Sequence, residues 1–174
     1  MSVAALSTET RNAWRPYLAP ALVVLVSIGA LAVALTAQYQ GGLLPCVLCL
    51  WQRWCYVGAI AFGVGGLAGA RNARVREGML FLAGLAFLCG LAVAGFHVGV
   101  EQGWWEGSQT CQGANFSELN SRAAIKDAIL KAPVVACNDV PWSFAGISIA
   151  GFNAIFSLVF GAATFWLTFR RPQR

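Results

Sequence analysis

GMLFLAGLAFLCGLAVAGFHVGV, residues 78–100, runs for 23 positions without an aspartate, glutamate, lysine or arginine. An α-helix rises 1.5 Å per residue, so a stretch of this length reaches about 35 Å and crosses a hydrocarbon core of about 30 Å. Three further stretches lack these charged residues: Tyr17–Ala37, Trp54–Ala70 and Trp142–Phe169. The second attains full length only if it begins near Leu50 and takes in Arg53. Of the 174 residues 58% are hydrophobic and 11% charged, against about 25% charged in an ordinary soluble domain. A water-soluble fold is excluded on that balance. A bilayer admits helices or closed barrels, and continuous apolar runs without strict alternation select helices. The expected fold is therefore an all-α integral membrane protein, a four-transmembrane-helix bundle of up-down-up-down order. It forms a single membrane domain over 1–174, with spans at about 17–37, 50–70, 78–98 and 144–168.

Charge orients the spans. Arg11 and Arg15, then Arg71, Arg74 and Arg76, then Arg170, Arg171 and Arg174 fall in the N-terminal tail, the second connection and the C-terminal tail. By the positive-inside rule these segments face the cytoplasm. The loops at about 38–49 and 99–143 then share the opposite side; the first carries no charge and the second is rich in acids. The arginines flank spans and form no patch interleaved with aromatics, which argues against nucleic acid as a partner. The first apolar run is longer than a signal-peptide core and no small-residue cleavage site follows it, so it is expected to remain as an anchor.

Topology gives the six cysteines their meaning. Cys46, Cys49, Cys111 and Cys137 lie in or beside the outer loops, where disulfides persist. Cys55 and Cys89 lie within spans and read as small buried hydrophobes. Cys46 and Cys49 open the second span after Pro45, a residue suited to the first turn of a helix. Both sulfurs would then feel the positive end of that helix, which favours thiolate. Arg53 follows Cys49 by four residues and shares its helical face. Either it stabilises negative charge near Cys49 or on a bound acceptor, or it snorkels to lipid phosphate.

Cys111 and Cys137 stand 26 positions apart in the long outer loop, as a redox pair or as a fixed staple. Between them Asn115 and Glu118 form an N-cap pattern, and Ile125, Ala128, Ile129 and Ala132 follow one helical stripe. This predicts a short amphipathic helix on the membrane surface. His97, the only histidine, is expected at the depth of Cys46, Cys49 and Arg53, as an interfacial anchor or as a hydrogen-bond donor to a small acceptor. Trp104, Trp105 and Trp142 fit an aromatic belt. A four-cysteine zinc site is disfavoured because the second pair lacks C-x-x-C spacing, and no metal is expected. Haem attachment needs a histidine after Cys49, where Leu50 stands. No G-x-G-x-x-G opens a helix, so two electrons arriving at the cysteines would need a lipid-soluble acceptor, for which a quinone fits.

PCVLCLWQRW (45–54), FHVGVEQGWWEG (96–107), TCQG (110–113) and ACNDVPWSFAGISIAGFN (136–153) together resemble the bacterial disulfide bond formation protein DsbB family. The resemblance extends over nearly the whole chain from the first span to the fourth. It implies an inner-membrane thiol:quinone oxidoreductase that reoxidises a periplasmic DsbA-like thioredoxin-fold partner and passes electrons to ubiquinone or menaquinone. By the same resemblance both outer loops are periplasmic. Cys111 would take the partner's thiolate in a mixed disulfide with Cys137 as its loop partner, Cys46 would exchange with Cys137, and Cys49 would face quinone. Arg53 matches the family's quinone-site arginine and His97 falls near its span-three histidine. Gln52 stands where some members carry glutamate, and the segment between Cys111 and Cys137 departs most from the family. The partner is then a general DsbA-like enzyme or a dedicated one. A membrane scaffold with structural disulfides is the non-enzymatic alternative.

Overall fold

The computed structural model describes residues 3–108, 111 and 135–169, with side chains described from residue 15 onward. Four long helices account for most of it: α1 Val3–Tyr39, α2 Val47–Ala68, α3 Ala73–Glu101 and α4 Ile149–Phe169. Each contains a stretch long and apolar enough to cross a membrane, beginning in α1 at Arg15. The expected multi-pass bundle is what the chain forms. The amphipathic helix expected between Asn115 and Ala132 lies outside the described residues, as do Arg170, Arg171 and Arg174.

The bundle is built around α3, which packs extensively on both α2 and α4; α1 leans chiefly on α2 and touches α3 and α4 only slightly. Its central core joins Val23, Tyr56, Ala59, Leu80, Ala83 and Phe87. Close approach between helices depends on residues without side chains, because lipid offers no hydrophobic drive and contact area must come from fit. At Gly63 a Cβ would lie 2.7 Å from Val24 Cγ2, and at Gly66 one would lie 3.2 Å from Pro20 Cβ. The fully buried Pro20 thus seats α1 against the glycine face of α2. Proline inside α1 is tolerated because a membrane helix can re-satisfy freed backbone groups locally or through neighbours. Large apolar side chains such as Leu25, Val33, Trp54, Leu158 and Trp166 point outward, as a lipid-facing surface requires.

Connections are short at the arginine-rich end. Asn72 caps α3, its Oδ1 accepting from the backbone N–H groups of Arg74 and Val75 at 3.1 and 3.4 Å. Arg76 donates to the Ala70 carbonyl at 3.0 Å. At the opposite end the uncharged run beginning at Trp142 does not start as helix. Ser143–Phe144 and Ile147–Ser148 pair as a small antiparallel hairpin, turned by Ala145 and Gly146 with φ of 51° and 77°. Two successive positive φ values suit the twist of a two-residue hairpin turn. Helix α4 follows directly, with Ser148 Oγ accepting the Gly151 N–H at 3.1 Å. Because α1 stands apart from α4, the bundle opens on that side into a cavity of about 830 Å³, walled by all four helices at the cysteine end.

Candidate functional site: paired cysteines at the head of an apolar cavity

Helix α2 begins one residue later than the proline pattern suggests. Pro45 precedes the helix, Cys46 is its N-cap with extended backbone (φ −75°, ψ 173°), and Val47 is its first residue. The Cys46 sulfur therefore occupies the place usually held by a serine or aspartate oxygen, accepting from the Cys49 backbone N–H at 3.3 Å. One turn of helix sets the two sulfurs 2.9 Å apart as free thiols, close enough to join with little movement of the backbone. Cys46 is buried at 4% exposure.

The second pair is already joined. Cys111 and Cys137 form a disulfide with Cα atoms 4.9 Å apart, and the Cys137 N–H donates to the Cys111 carbonyl at 3.0 Å. Both are buried, and they share one apolar cluster with Cys46, Leu48 and Val100. Four cysteines from separate parts of the chain thus meet at one end of α2 and α3.

His97, from α3, lies between the pairs. Its Nε2 is 3.5 Å from Cys46 Sγ and 3.2 Å from the Cys137 carbonyl oxygen, and its Nδ1 is 3.1 Å from Gln52 Nε2. It is buried at 3% exposure and fully engaged, which rules out the simple interfacial-anchor reading. Glu101 Oε1 lies 3.8 Å from Nε2, while the other Glu101 oxygen receives the Ser148 hydroxyl. The thiol of Cys49, together with the imidazole and the helix-cap N–H, stabilises negative charge on Cys46 against its burial, so that Cys46 is held well below the ordinary thiol range.

Arg53 does not snorkel free. Its Nη1 donates to Gln38 Oε1 at 2.5 Å and its Nη2 to the Ala34 carbonyl at 3.4 Å, so the end of α1 holds the guanidinium beside the cavity. Cys46, Cys49, Arg53 and His97 all contribute to the cavity wall, along with Tyr56 and Asn153. The rest of the lining is largely apolar, from α1 residues such as Val26 and Val33 to Phe152 and Phe156 of α4. A largely apolar cavity with a few polar side chains in its wall is the kind of site that takes a small apolar molecule and fixes its orientation. Cys46, Cys49 and His97 bring ligand atoms within 4.8 Å of one another, three where a closed zinc site takes four.

Residues 16–167 match the family described as Disulfide bond formation protein DsbB. The chain belongs to the DsbB family. A relative named Disulfide bond formation protein B from Acinetobacter baumannii is 28% identical over 156 residues, covering 86% of this chain and 88% of that protein. One of the same name from Albidiferax ferrireducens is 32% identical over 148 residues, 80% of each chain. The protein of that name from Cupriavidus necator is 36% identical over 77 residues, a match spanning 44% of this chain and 46% of that one. No solved structure gives a significant match.

The DsbB-family motif residues singled out in the sequence converge, but several of their partners were not singled out. Gln38, Tyr56, Glu101 and Asn153 each contact a site residue or its neighbour, and Gln52 was noticed only as a departure from glutamate. A signal existed for most of them: a polar side chain inside an apolar span is costly unless partnered. Cys55 packs toward Gly90 on α3, whose added Cβ would lie 3.5 Å from Cys55 Cβ, and Cys89 is exposed; neither joins the cysteine cluster. Trp105 stacks on Phe96 with ring centroids 5.7 Å apart and donates to the Phe96 carbonyl at 3.0 Å.

Proposed function

We propose that this chain is a membrane thiol:quinone oxidoreductase of the bacterial inner membrane, which reoxidises a periplasmic DsbA-like dithiol enzyme and delivers the electrons to ubiquinone or menaquinone. The observation that carries this reading is the meeting of two cysteine pairs, one bonded and one as thiols, at the polar head of an apolar cavity open between α1 and α4. Membership of the DsbB family supports it.

In this scheme the partner's thiolate attacks Cys111, opening the Cys111–Cys137 bond and forming a mixed disulfide. The partner's second thiol then closes its own disulfide and leaves Cys111 and Cys137 reduced. Cys137 thiolate attacks Cys46 of an oxidised Cys46–Cys49 pair, Cys111 completes the exchange, and the loop disulfide is restored. Two electrons and two protons now rest on Cys46 and Cys49. A bound quinone supplies a two-electron, two-proton acceptor. Cys49 faces it from the cavity wall, Arg53 offers guanidinium N–H groups to developing negative charge, and His97 holds a proton against Cys46. Burial of Cys46 keeps its thiolate from water and side reactions. Both termini and the α2–α3 connection with Arg71, Arg74 and Arg76 are cytoplasmic, which sets the cysteine end in the periplasm.

The test is aerobic turnover of a reduced DsbA-type partner by the purified protein, with and without ubiquinone-1, following partner thiols and quinone absorbance together. Loss of both in equal amounts is expected. If neither changes across a competent panel of partners, the enzyme reading fails and a scaffold with structural disulfides replaces it.

A further inference from the structure

Four polar side chains that line the cavity, His97, Gln52, Asn153 and Tyr56, are joined in one line of hydrogen bonds, and chemistry at one end decides its direction. The Cys137 carbonyl oxygen, 3.2 Å from His97 Nε2, can only accept, so Nε2 carries a proton. In an imidazole with one proton, Nδ1 is then a bare acceptor. The amide nitrogen of Gln52, 3.1 Å away, satisfies it. Gln52 Oε1 must therefore face Asn153, whose Nδ2 donates to it at 2.5 Å. Asn153 Oδ1 is left to receive the Tyr56 hydroxyl. With Nδ1 bare, each amide has one orientation compatible with both neighbours. The line spans three helices.

We infer that Gln52, oriented by Asn153 and Tyr56, is a positioning residue that holds the single imidazole proton of His97 on Nε2, the nitrogen 3.5 Å from Cys46 Sγ. The N–H then points at the sulfur and the Cys137 carbonyl, the two acceptors a thiol exchange between Cys137 and Cys46 brings together. Its functional meaning rests on the proposed thiol exchange; the proton's location does not. A second proton on Nδ1 would meet the Gln52 N–H donor to donor. Accommodating it requires both amides to turn over together and the Tyr56 hydroxyl to pass to Ser157 Oγ, 3.3 Å away. A glutamate at this position would do the reverse, accepting a proton from Nδ1. Glu101, 3.8 Å from Nε2, faces the other side of the ring and does not compete for Nδ1.

His97 is the only histidine in the chain, so protein labelled with ¹⁵N-histidine, purified through a tag without histidine and placed in nanodiscs, reports imidazole signals from this residue alone. At neutral pH the wild-type protein is expected to show a protonated Nε2 and a bare Nδ1. In Gln52→Glu a proton is expected on Nδ1 as well as on Nε2, because a carboxylate beside an imidazole leaves the proton on the ring. A wild-type Nδ1 that carries a proton, or an Nδ1 that stays bare in Gln52→Glu, overturns the inference. The wild-type measurement needs no variant to fold, and neither measurement needs partner or quinone. A lack of turnover would therefore refute the proposed activity while leaving the proton assignment to stand or fall by itself.

Discussion

Replacing Arg53 with methionine tests the link between the guanidinium and the acceptor. Arginine has five N–H donors in a rigid fork. One from Nη1 goes to Gln38 and one from Nη2 to the Ala34 carbonyl, which leaves three without a partner among the described residues to address a ligand at the head of the cavity. A hydrogen bond to a charged group contributes about 1.5–3 kcal/mol. At about 1.4 kcal/mol per tenfold, loss of one such bond to developing negative charge lowers kcat/KM for quinone about 10- to 150-fold. Methionine keeps an unbranched apolar side chain and removes the donors. Arg53→Lys keeps the charge but cannot span Gln38, the Ala34 carbonyl and the ligand as a planar fork does, and is expected to fall between wild type and methionine. The assay is steady-state oxidation of reduced partner at varied ubiquinone-1, with exchange between partner and Cys111–Cys137 measured separately in a single turnover without quinone. The quinone-dependent step should fall and the exchange step should not. An Arg53→Met protein that melts like wild type and retains full kcat/KM for quinone would refute the assignment.

Three further outcomes are expected. In reduced protein, alkylation of Cys46 by iodoacetamide should stay nearly level from pH 9 to pH 6, because a thiol held well below its ordinary range remains thiolate there, whereas a free cysteine with pKa of about 8.5 slows roughly tenfold per unit below that value; a Cys46 profile that tracks a free thiol contradicts the stabilised charge. Tyr56→Phe removes the donor to Asn153 Oδ1 and should destabilise the bundle by about 1–3 kcal/mol, read as a lower melting midpoint in detergent, and an unchanged midpoint would mean the contact carries no net stability. Gly63→Leu drives a side chain into Val24 Cγ2, 2.7 Å from the position of its Cβ, and should cost about 1–3 kcal/mol through overpacking; equal stability would show that α1 is not seated on the glycine face of α2.

The four spans could be read from the chain because transfer of an apolar stretch into lipid is close to a sum over its residues, and a sum needs no neighbours. The arginines of the α2–α3 connection were visible for the same reason. Cys49 and Arg53 could be paired because four residues along a helix return to one face, whatever that helix packs against. Sequence spacing does not reach across helices. Gln38 meets Arg53 from 15 positions away, His97 meets Gln52 across 45, and Asn153 meets Gln52 across 101. Each meeting depends on how far each helix is turned about its own axis, which is set by small residues such as Gly63 and Gly66 and by what they admit. The sequence alone determined a membrane bundle with four of its cysteines at one end. Only the packed helices decided that Arg53 is held by α1 and that His97 lies between the two cysteine pairs. The gap between α1 and α4 likewise arises from helix placement, since no local run of residues encodes an empty space.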